Sequence, residues 1–171
     1  MSDDSVCRVR PLFDADLEMI LNWRNSPEVR SCMFHTDPIP LEQHRLWFAK
    51  ASASADKTLL IFENEALPQG FVQFSRLTDP LIATWGFYTK PGSPKGSGRK
   101  LGQTAIRYAF TNLSLHKLCG HVLTSNMRSK RLHASLGFQL EGVLREHHFN
   151  GTNYEDVVYC GLLASEWKHI D

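Results

Sequence analysis

A glycine-rich segment near the middle of the chain has the composition of an anion-binding loop. It reads KPGSPKGSG from Lys90 to Gly98 and leads into a segment in which Ile106, Ala109, Phe110 and Leu113 follow helical spacing. A loop of this kind that opens a helix leaves successive backbone N–H groups without partners, and these add to the positive end of the helix dipole. The segment therefore predicts a phosphate site.

Two common phosphate motifs do not fit this loop. The P-loop requires Gly-x-x-x-x-Gly-Lys followed by Ser or Thr, but the residue five places after Gly92 is Ser97. The dinucleotide motif Gly-x-Gly-x-x-Gly would start at Gly96 and Gly98, and it would require glycine where the chain has Leu101. The loop therefore favours neither ATP nor NAD.

The pattern around the loop predicts an α+β (mixed α/β) fold. Caps and periodicity predict a strand at 6–10, a helix capped by Asp14 that ends near Asn25, helices from Pro27 and over 40–51, strands at 58–62, 71–77 and 81–89, a helix after Gly98, a strand at 116–124, a helix over 126–136, and strands at 141–149 and 152–163. Asn150-Gly151 is a typical hairpin-turn signal between the last two strands. The order β-α-α-α-βββ-α-β-α-ββ indicates a mixed sheet covered by helices.

The composition indicates a single soluble domain over residues 1–171. With 19 Lys+Arg, 18 Asp+Glu and 42% hydrophobic residues, the chain can bury a core and lacks the basic excess of a nucleic-acid-binding protein. It has neither a secretory signal nor an apolar run long enough to span a membrane, which predicts a cytoplasmic location. The sequence contains no metal-site or nucleophilic-serine motif, so we expect no metal.

Three segments resemble the GCN5-related N-acetyltransferase (GNAT) family. Gly96 and Gly98 match the glycines of its Q/R-x-x-G-x-G/A motif, residues 85–88 (WGFY) end the preceding strand as in that family, and residues 126–138 match a second motif. The resemblance implies a mostly antiparallel, twisted sheet of six or seven strands flanked by helices. It also implies acetyl-coenzyme A (acetyl-CoA) as co-substrate. One departure is Ser93, which stands where the motif has Gln or Arg to contact the pyrophosphate.

The resemblance also implies where acetyl-CoA binds. In the family, the strand equivalent to the one holding Phe87 and Tyr88 splays from its neighbour, and free backbone groups there bind the pantetheine arm and face the thioester carbonyl. Fixed N–H donors aimed at a developing oxyanion are often the largest catalytic contribution. The expected binding residues are Phe87, Tyr88, Thr89, Lys95, Gly96, Ser97, Gly98, Arg99, Lys100, Asn126, Ser129 and Lys130.

Acetyl transfer needs a proton donor and a base. The family usually protonates the departing thiolate from a tyrosine at the position of His133, and an imidazole with a reference pKa of about 6.5 is mostly neutral at pH 7. His133 would donate as a neutral N–H or with a pKa raised by a carboxylate such as Glu141 or Asp156. The alternative is that His133 lies on the exposed side of its helix, with Tyr88 or a water as donor. Candidates for the base are Glu141, His147, His148, Asp156, Tyr88 and a water chain.

The acceptor is expected to bind at the N-terminal helices. Residues 22–33 (NWRNSPEVRSCM), residues 39–48 and Asn150-Gly151 with Asp156 resemble the aminosugar N-acetyltransferases of pseudaminic acid biosynthesis, a pathway of flagellin glycosylation. That resemblance implies a UDP-linked 4-amino-4,6-dideoxy-N-acetyl-altrosamine as the small-molecule partner. Arginines suit the diphosphate, and Met and Trp offer apolar surface to the base or sugar. The expected substrate residues are Arg24, Asn25, Arg30, Met33, His44 and Trp47.

Other interpretations stay open at this point. Trp23 and Phe48 at helical spacing are more often core residues than ligand contacts, and Arg24 fits an ion pair with Glu28. The C-terminal half resembles ribosomal-protein N-terminal acetyltransferases and spermidine acetyltransferases, although the few acids in the N-terminal helices disfavour a polyamine. A non-catalytic acetyl-CoA-binding module, with His133 as the sign of lost activity, is an alternative of a different class. The resemblance also allows a homodimer.

Overall fold

The computed structural model describes residues 7–167 of the chain. Its elements follow the predicted order, after a 3₁₀ turn at Asp14–Asp16 in front of the first helix: β1 (Cys7–Pro11), α1 (Leu17–Asn25), α2 (Pro27–Arg30), α3 (Leu41–Ser52), β2 (Lys57–Asn64), β3 (Leu67–Arg76), β4 (Ile82–Thr89), α4 (Ser97–Thr111), β5 (Lys117–Leu123), α5 (Met127–Ser135), β6 (Gln139–Phe149) and β7 (Tyr154–Leu163). Val6, the predicted first residue of β1, lies outside the described residues. Within 7–167, none of the helices combines the length and apolar character needed to cross a bilayer.

The seven strands form one sheet in the order β1-β2-β3-β4-β5-β7-β6. Five of its six neighbouring pairs are antiparallel, and β4 and β5 are parallel. The expected fold class, a mostly antiparallel sheet of six or seven strands flanked by helices, is therefore confirmed.

The parallel pairing between β4 and β5 is short. Residues Ile82–Thr84 pair with Lys117–Cys119, and the pairing ends there. Beyond this point β4 continues against β3 as far as Thr89, while β5 continues against β7 as far as Leu123. The two strands therefore diverge, which is the predicted splay, and alternate backbone groups of the last part of β4 face a gap instead of a neighbouring strand.

Helices cover the two faces of the sheet through separate hydrophobic clusters. The cluster under α4 includes Leu60, Trp85 and Leu101, whereas the cluster under α1 and α3 includes Ile20, with Tyr88 packed against it. Successive side chains of a strand point to opposite faces. Along β4, therefore, Trp85 points toward α4 and Tyr88 points toward α1 and α3.

The start of α1 differs from the prediction. Asp14 does not cap this helix, because Asp14–Asp16 form a 3₁₀ turn and α1 begins at Leu17. The Asp16 carboxylate accepts a hydrogen bond from the Phe13 N–H at 2.9 Å and binds the guanidinium of Arg10 at 2.7 and 2.9 Å. Asp16, the second aspartate of the turn, therefore fixes how the chain enters α1. Helical spacing alone does not indicate this role.

The turn of the β6–β7 hairpin is also longer than the two residues that Asn150-Gly151 suggests. The strands end at Phe149 and begin again at Tyr154, which pair with each other. The Asn150 side-chain oxygen accepts hydrogen bonds from the N–H groups of residues 152 and 153 at 3.0 and 2.9 Å. Gly151 has a φ of +98°, so the glycine supplies the left-handed conformation within a four-residue loop.

Replacement of Gly120 by alanine should destabilise the fold, because β5 passes directly beneath α5 at this residue. An added Cβ would lie 2.6 Å from Nε2 of His133 and 2.9 Å from Sγ of Cys160. Overpacking of this kind costs about 1–3 kcal/mol. Gly142→Ala is the matched control, since a Cβ there meets nothing within 4 Å. Urea unfolding of both variants measures the difference, and equal free energies of unfolding would contradict the close contact.

Candidate active site

A cavity of about 440 Å³ occupies the gap between β4 and β5. One wall is formed by residues 84–89 of β4 and the opposite wall by residues 121–123 of β5. The lining also includes Arg24 of α1, Gln73 of β3, residues of α2, the start of α4, residues between 126 and 133 at α5, and the α2–α3 loop (residues 31–40). The predicted site residues that the cavity brings together are Arg24, Met33, Phe87, Tyr88, Thr89, Gly98, Asn126, Ser129 and His133.

Two helix N-termini border this cavity. The N-cap of α4 is Gly96 with a φ of +95°, a conformation that glycine adopts without strain. At the start of α5, the Asn126 side chain accepts a hydrogen bond from the Ser129 N–H at 3.0 Å, as predicted for a capping residue. Both termini present positive dipole ends and N–H groups suited to an anion. The other predicted cofactor residues lie in or beside these first turns but outside the cavity wall: Lys95, Gly96, Ser97, Arg99, Lys100 and Lys130.

Four aromatic side chains, which we call the aromatic wedge, fill the space beside the point where β4 and β5 separate: Trp85, Phe87, His133 and Phe138. Trp85 stacks on Phe138 with ring centroids 5.4 Å apart and meets His133 edge-on at 5.5 Å. The Phe87 ring lies 4.5 Å from that of Trp85. The wedge joins α5 to β4 across the gap, so it keeps the helix and the diverging strand in a fixed relation.

His133 is buried in this wedge, with 5% of its surface exposed. Its Nε2 accepts a hydrogen bond from the indole N–H of Trp85 at 3.1 Å, and its Nδ1 lies 2.8 Å from the backbone oxygen of Ser129. An indole N–H only donates and a carbonyl only accepts, so we assign the neutral tautomer with the proton on Nδ1.

The surroundings of His133 correct two of its expected properties. Burial lowers its pKa, so the expectation that Glu141 or Asp156 raises this pKa is wrong. The alternative that His133 lies on the exposed side of α5 is also wrong. Because both ring nitrogens contact other residues, His133 directs no N–H toward the cavity in this arrangement.

Tyr88 lines the cavity from the side of α1 and α3. Its hydroxyl donates a hydrogen bond to the backbone carbonyl of Ile20 at 3.2 Å, and its ring lies 5.3 Å from that of Phe71. Burial raises the pKa of Tyr88, so the phenol stays protonated at neutral pH. Tyr88 is therefore a hydrogen-bond donor whose proton the Ile20 carbonyl accepts in this arrangement, and it is poorly suited to act as a base.

Three of the expected substrate residues fix the α2–α3 loop. The Asn25 side chain binds both backbone groups of Ile39, at 2.8 and 2.9 Å. Arg24 and Arg30 donate hydrogen bonds to backbone carbonyls of the loop at 2.7 and 3.2 Å. Asn25 and Arg30 do not line the cavity, whereas Arg24 does. One nitrogen of the Arg24 guanidinium, Nη1, is buried with no hydrogen-bond partner among the described residues.

The structure does not bring His44 and Trp47 to the cavity. Their rings stack on each other with centroids 5.0 Å apart, and Trp47 meets Phe71 edge-on at 6.0 Å within the hydrophobic cluster of α1 and α3. His44 is buried, and burial lowers its pKa. Helical spacing cannot separate a core residue from a ligand contact on the same helix face, which is why both residues were predicted to contact the substrate.

The side chains predicted as bases lie outside the cavity, apart from Tyr88. Glu141 forms an ion pair with Lys117 at 2.6 Å, and Asp156 accepts a hydrogen bond from the N–H of Glu146 at 2.8 Å. The ring of His148 meets that of Phe34 edge-on at 5.1 Å. None of these groups therefore faces the gap between β4 and β5.

His121 of β5 lines the cavity, although sequence reasoning did not select it. It is exposed, and its ring stacks on Tyr159 of β7 with centroids 3.9 Å apart. Burial of part of the ring and the neighbouring His147 lower its pKa, so it is neutral at pH 7. The family resemblance could have pointed to His121, because it places β5 beside the splayed strand β4.

A model described as "Acetyltransferase (GNAT) domain" matches residues 7–139, which is more than half of the chain. This chain belongs to the GNAT acetyltransferase family. Acetyl-CoA is therefore its acetyl donor, and a gap between diverging strands beside two helix N-termini suits a long molecule with an anionic part. The family predicted from the glycine-rich loop and from residues 126–138 is confirmed.

The acetyltransferase is similar to two kinds of characterised protein. It is 31% identical to "Acetyltransferase PseH" of Campylobacter jejuni over 126 residues, which cover 73% of this chain and 78% of that protein. It is also similar to the crystal structure of spermidine N-acetyltransferase from Vibrio cholerae in complex with CoA and spermine, with a TM-score of 0.86, 27% identity and coverage of 95% and 98% of the two chains. It is also 38% identical to the spermidine N(1)-acetyltransferase of Vibrio cholerae over 73 residues, which cover 43% of this chain and 42% of that protein.

The hydrogen bond between Trp85 and His133 can be tested by a double-mutant cycle. Trp85→Phe or His133→Leu alone leaves a buried nitrogen without its partner, which costs about 1–3 kcal/mol, whereas the double variant removes both. The double variant should therefore lose less stability than the sum of the two single variants. Urea unfolding measures this coupling, and a parallel cycle of Trp47→Phe with His133→Leu should be additive. Additivity in the Trp85 cycle would contradict the hydrogen bond.

Proposed function

We propose that this enzyme transfers the acetyl group of acetyl-CoA to the primary amine of a nucleotide-linked aminosugar of the UDP-4-amino-4,6-dideoxy-N-acetyl-altrosamine type. The transfer takes place by direct attack of the amine on the thioester, without a covalent enzyme intermediate. The similarity to acetyltransferase PseH and the resemblance of residues 22–48 to aminosugar acetyltransferases of pseudaminic acid biosynthesis support this acceptor.

Acetyl-CoA binds along the gap in this proposal. The pantetheine arm lies against the unpaired side of β4 at Phe87, Tyr88 and Thr89. The pyrophosphate lies at the N-terminus of α4, near the amides of Gly96 and Gly98, since those of Ser97, Arg99 and Lys100 already donate to backbone carbonyls. Lys95, Arg99 and Lys130 neutralise the remaining phosphate charge. Asn126 and Ser129 bind at the other helix N-terminus. The splay, the positive-φ glycine and the two helix dipoles support this arrangement.

Backbone N–H groups of β4 that face the gap would stabilise the oxyanion formed when the amine attacks the thioester. They are fixed by the pairing of β4 with β3, so they need no reorganisation during the reaction. Tyr88 is the proposed donor for the leaving thiolate, because it lines the cavity and stays protonated. Its hydroxyl, which donates to the Ile20 carbonyl in the structure, would turn toward the sulfur when acetyl-CoA is bound. His133 is a positioning residue that holds Trp85 and α5, since both of its nitrogens are engaged.

The buried Nη1 of Arg24 is the observation that most supports an acceptor with a diphosphate. An N–H group of a guanidinium that is buried without a partner costs free energy, and a phosphate or carboxylate oxygen of a ligand would satisfy it once the guanidinium turns toward the cavity. The charged residues that line the cavity are Arg24, Arg128 and Glu28, and the Glu28 carboxylate accepts a hydrogen bond from the Gly92 N–H at 3.2 Å. A net positive lining favours an acceptor that carries a diphosphate.

A polyamine is the second candidate acceptor. The likeness to a spermidine acetyltransferase bound to spermine supports it at the level of the fold. The charge of the lining argues against it, because a polycationic acceptor would approach two arginines and a single carboxylate. A parallel assay with both amines distinguishes the aminosugar from the polyamine.

The direct test measures CoA thiol release with a UDP-linked 4-aminosugar, spermidine and an N-terminal peptide offered in parallel. We expect turnover with the aminosugar and none above background with the other two. Turnover with spermidine alone or with the peptide alone would overturn the aminosugar proposal while leaving the acetyltransferase activity intact. Silence with all three amines despite measurable CoA binding would favour a non-catalytic module.

In the same assay, Arg24→Gln should raise the KM for the aminosugar about 10- to 100-fold, because a charge-assisted hydrogen bond contributes about 1.5–3 kcal/mol. The KM for acetyl-CoA should stay within about twofold. The matched control is Arg45→Gln, since Arg45 is exposed on α3 and contacts Glu18 away from the cavity. An equal rise of both KM values in Arg24→Gln would indicate a disturbed α2–α3 loop instead of a lost acceptor contact.

A further inference from the structure

His121 stands at the point where β4 and β5 begin to diverge. The last pair of the parallel ladder joins Thr84 to Cys119, and His121 follows two residues later. Side chains alternate along a strand, so His121 shares the face of Cys119, whereas Gly120 faces His133 on the side of α5. His121 is therefore on the face of the sheet to which Tyr88 also points.

The two faces of the gap have different chemistry. The α4 and α5 side carries the aromatic wedge and both helix N-termini, which suit acetyl-CoA. The opposite side carries Arg24, Tyr88 and His121, and the α2–α3 loop closes it. An amine that enters from this second side meets the thioester carbon in the gap with His121 beside it.

The imidazole of His121 is available for proton transfer. Within residues 7–167 neither of its ring nitrogens has a hydrogen-bond partner, and its contact with Tyr159 is ring stacking, which leaves the nitrogens at the ring edge accessible. By contrast, His133 uses both nitrogens within the wedge. His121 lies on β5 in the cavity wall, and the pairing of β5 with β7 fixes its backbone there.

We propose that His121 is the general base that deprotonates the acceptor amine in the gap between β4 and β5. The first proton of the ammonium passes to the free imidazole nitrogen and from there to solvent. The amine lone pair then forms the N–C bond, the C–S bond breaks, and its electron pair stays on sulfur. The second amine proton ends on the CoA thiolate, and the third stays on the amide product. The inference rests on acetyl transfer itself and not on the identity of the acceptor.

The test compares His121→Asn with wild type, using whichever acceptor the wild-type enzyme acetylates. The variant should lose about 100-fold in kcat, in the range of general base catalysis, while the KM for acetyl-CoA stays within about twofold. His116→Asn is the matched control, because His116 precedes β5, is exposed and lies outside the cavity. Its kcat should stay within about twofold of wild type.

A second acceptor separates a base from a merely structural residue. Hydroxylamine has a nitrogen that is largely unprotonated at neutral pH, so its attack needs no base, and His121→Asn should keep at least about half of the wild-type rate with it. Added imidazole should restore part of the activity of His121→Ala toward the ammonium acceptor. The proposal is overturned if His121→Asn keeps its kcat with that acceptor, or if its rates with the two acceptors fall equally.

Discussion

The site exists because the hydrogen-bonded pairing between β4 and β5 ends after three residue pairs. Each strand keeps its other neighbour, so the sheet stays continuous on both sides of the gap. The aromatic wedge of Trp85, Phe87, His133 and Phe138 fills one side of the divergence and fixes α5 there. The result is a rigid edge of unpaired backbone groups beside two helix N-termini, and in our proposal this edge receives the acetyl donor.

In our proposal the gap also separates the two reactants. The donor side has glycine, helix dipoles and aromatic surface, while the acceptor side has Arg24, Tyr88, His121 and a loop that three side chains hold to α1 and α2. This division would let the fold accept different amines without a change on the donor side. The donor side is set by the sheet, and the acceptor side depends on a loop and a few side chains.

Signals within a few residues of one another predicted most of the fold. The Asn126 cap and the glycine-rich loop before α4 both depend on neighbouring residues, and the structure has both. The side-chain environments could not be predicted in the same way. The burial of His133, the stacking of His44 on Trp47 and the place of His121 depend on packing between elements that are distant in sequence.

Hydrogen exchange of the backbone amides, with and without CoA, tests whether the acetyl donor lies in the gap between β4 and β5. If acetyl-CoA occupies the splay, CoA should slow the exchange of amides in residues 85–89 and in residues 96–100 at the start of α4, because ligand oxygens and exclusion of water protect them. Amides of β1 and β2, on the far side of the sheet, should keep their rates. Binding of CoA without protection of residues 85–89 would contradict the account, because the donor would then lie outside the gap between β4 and β5.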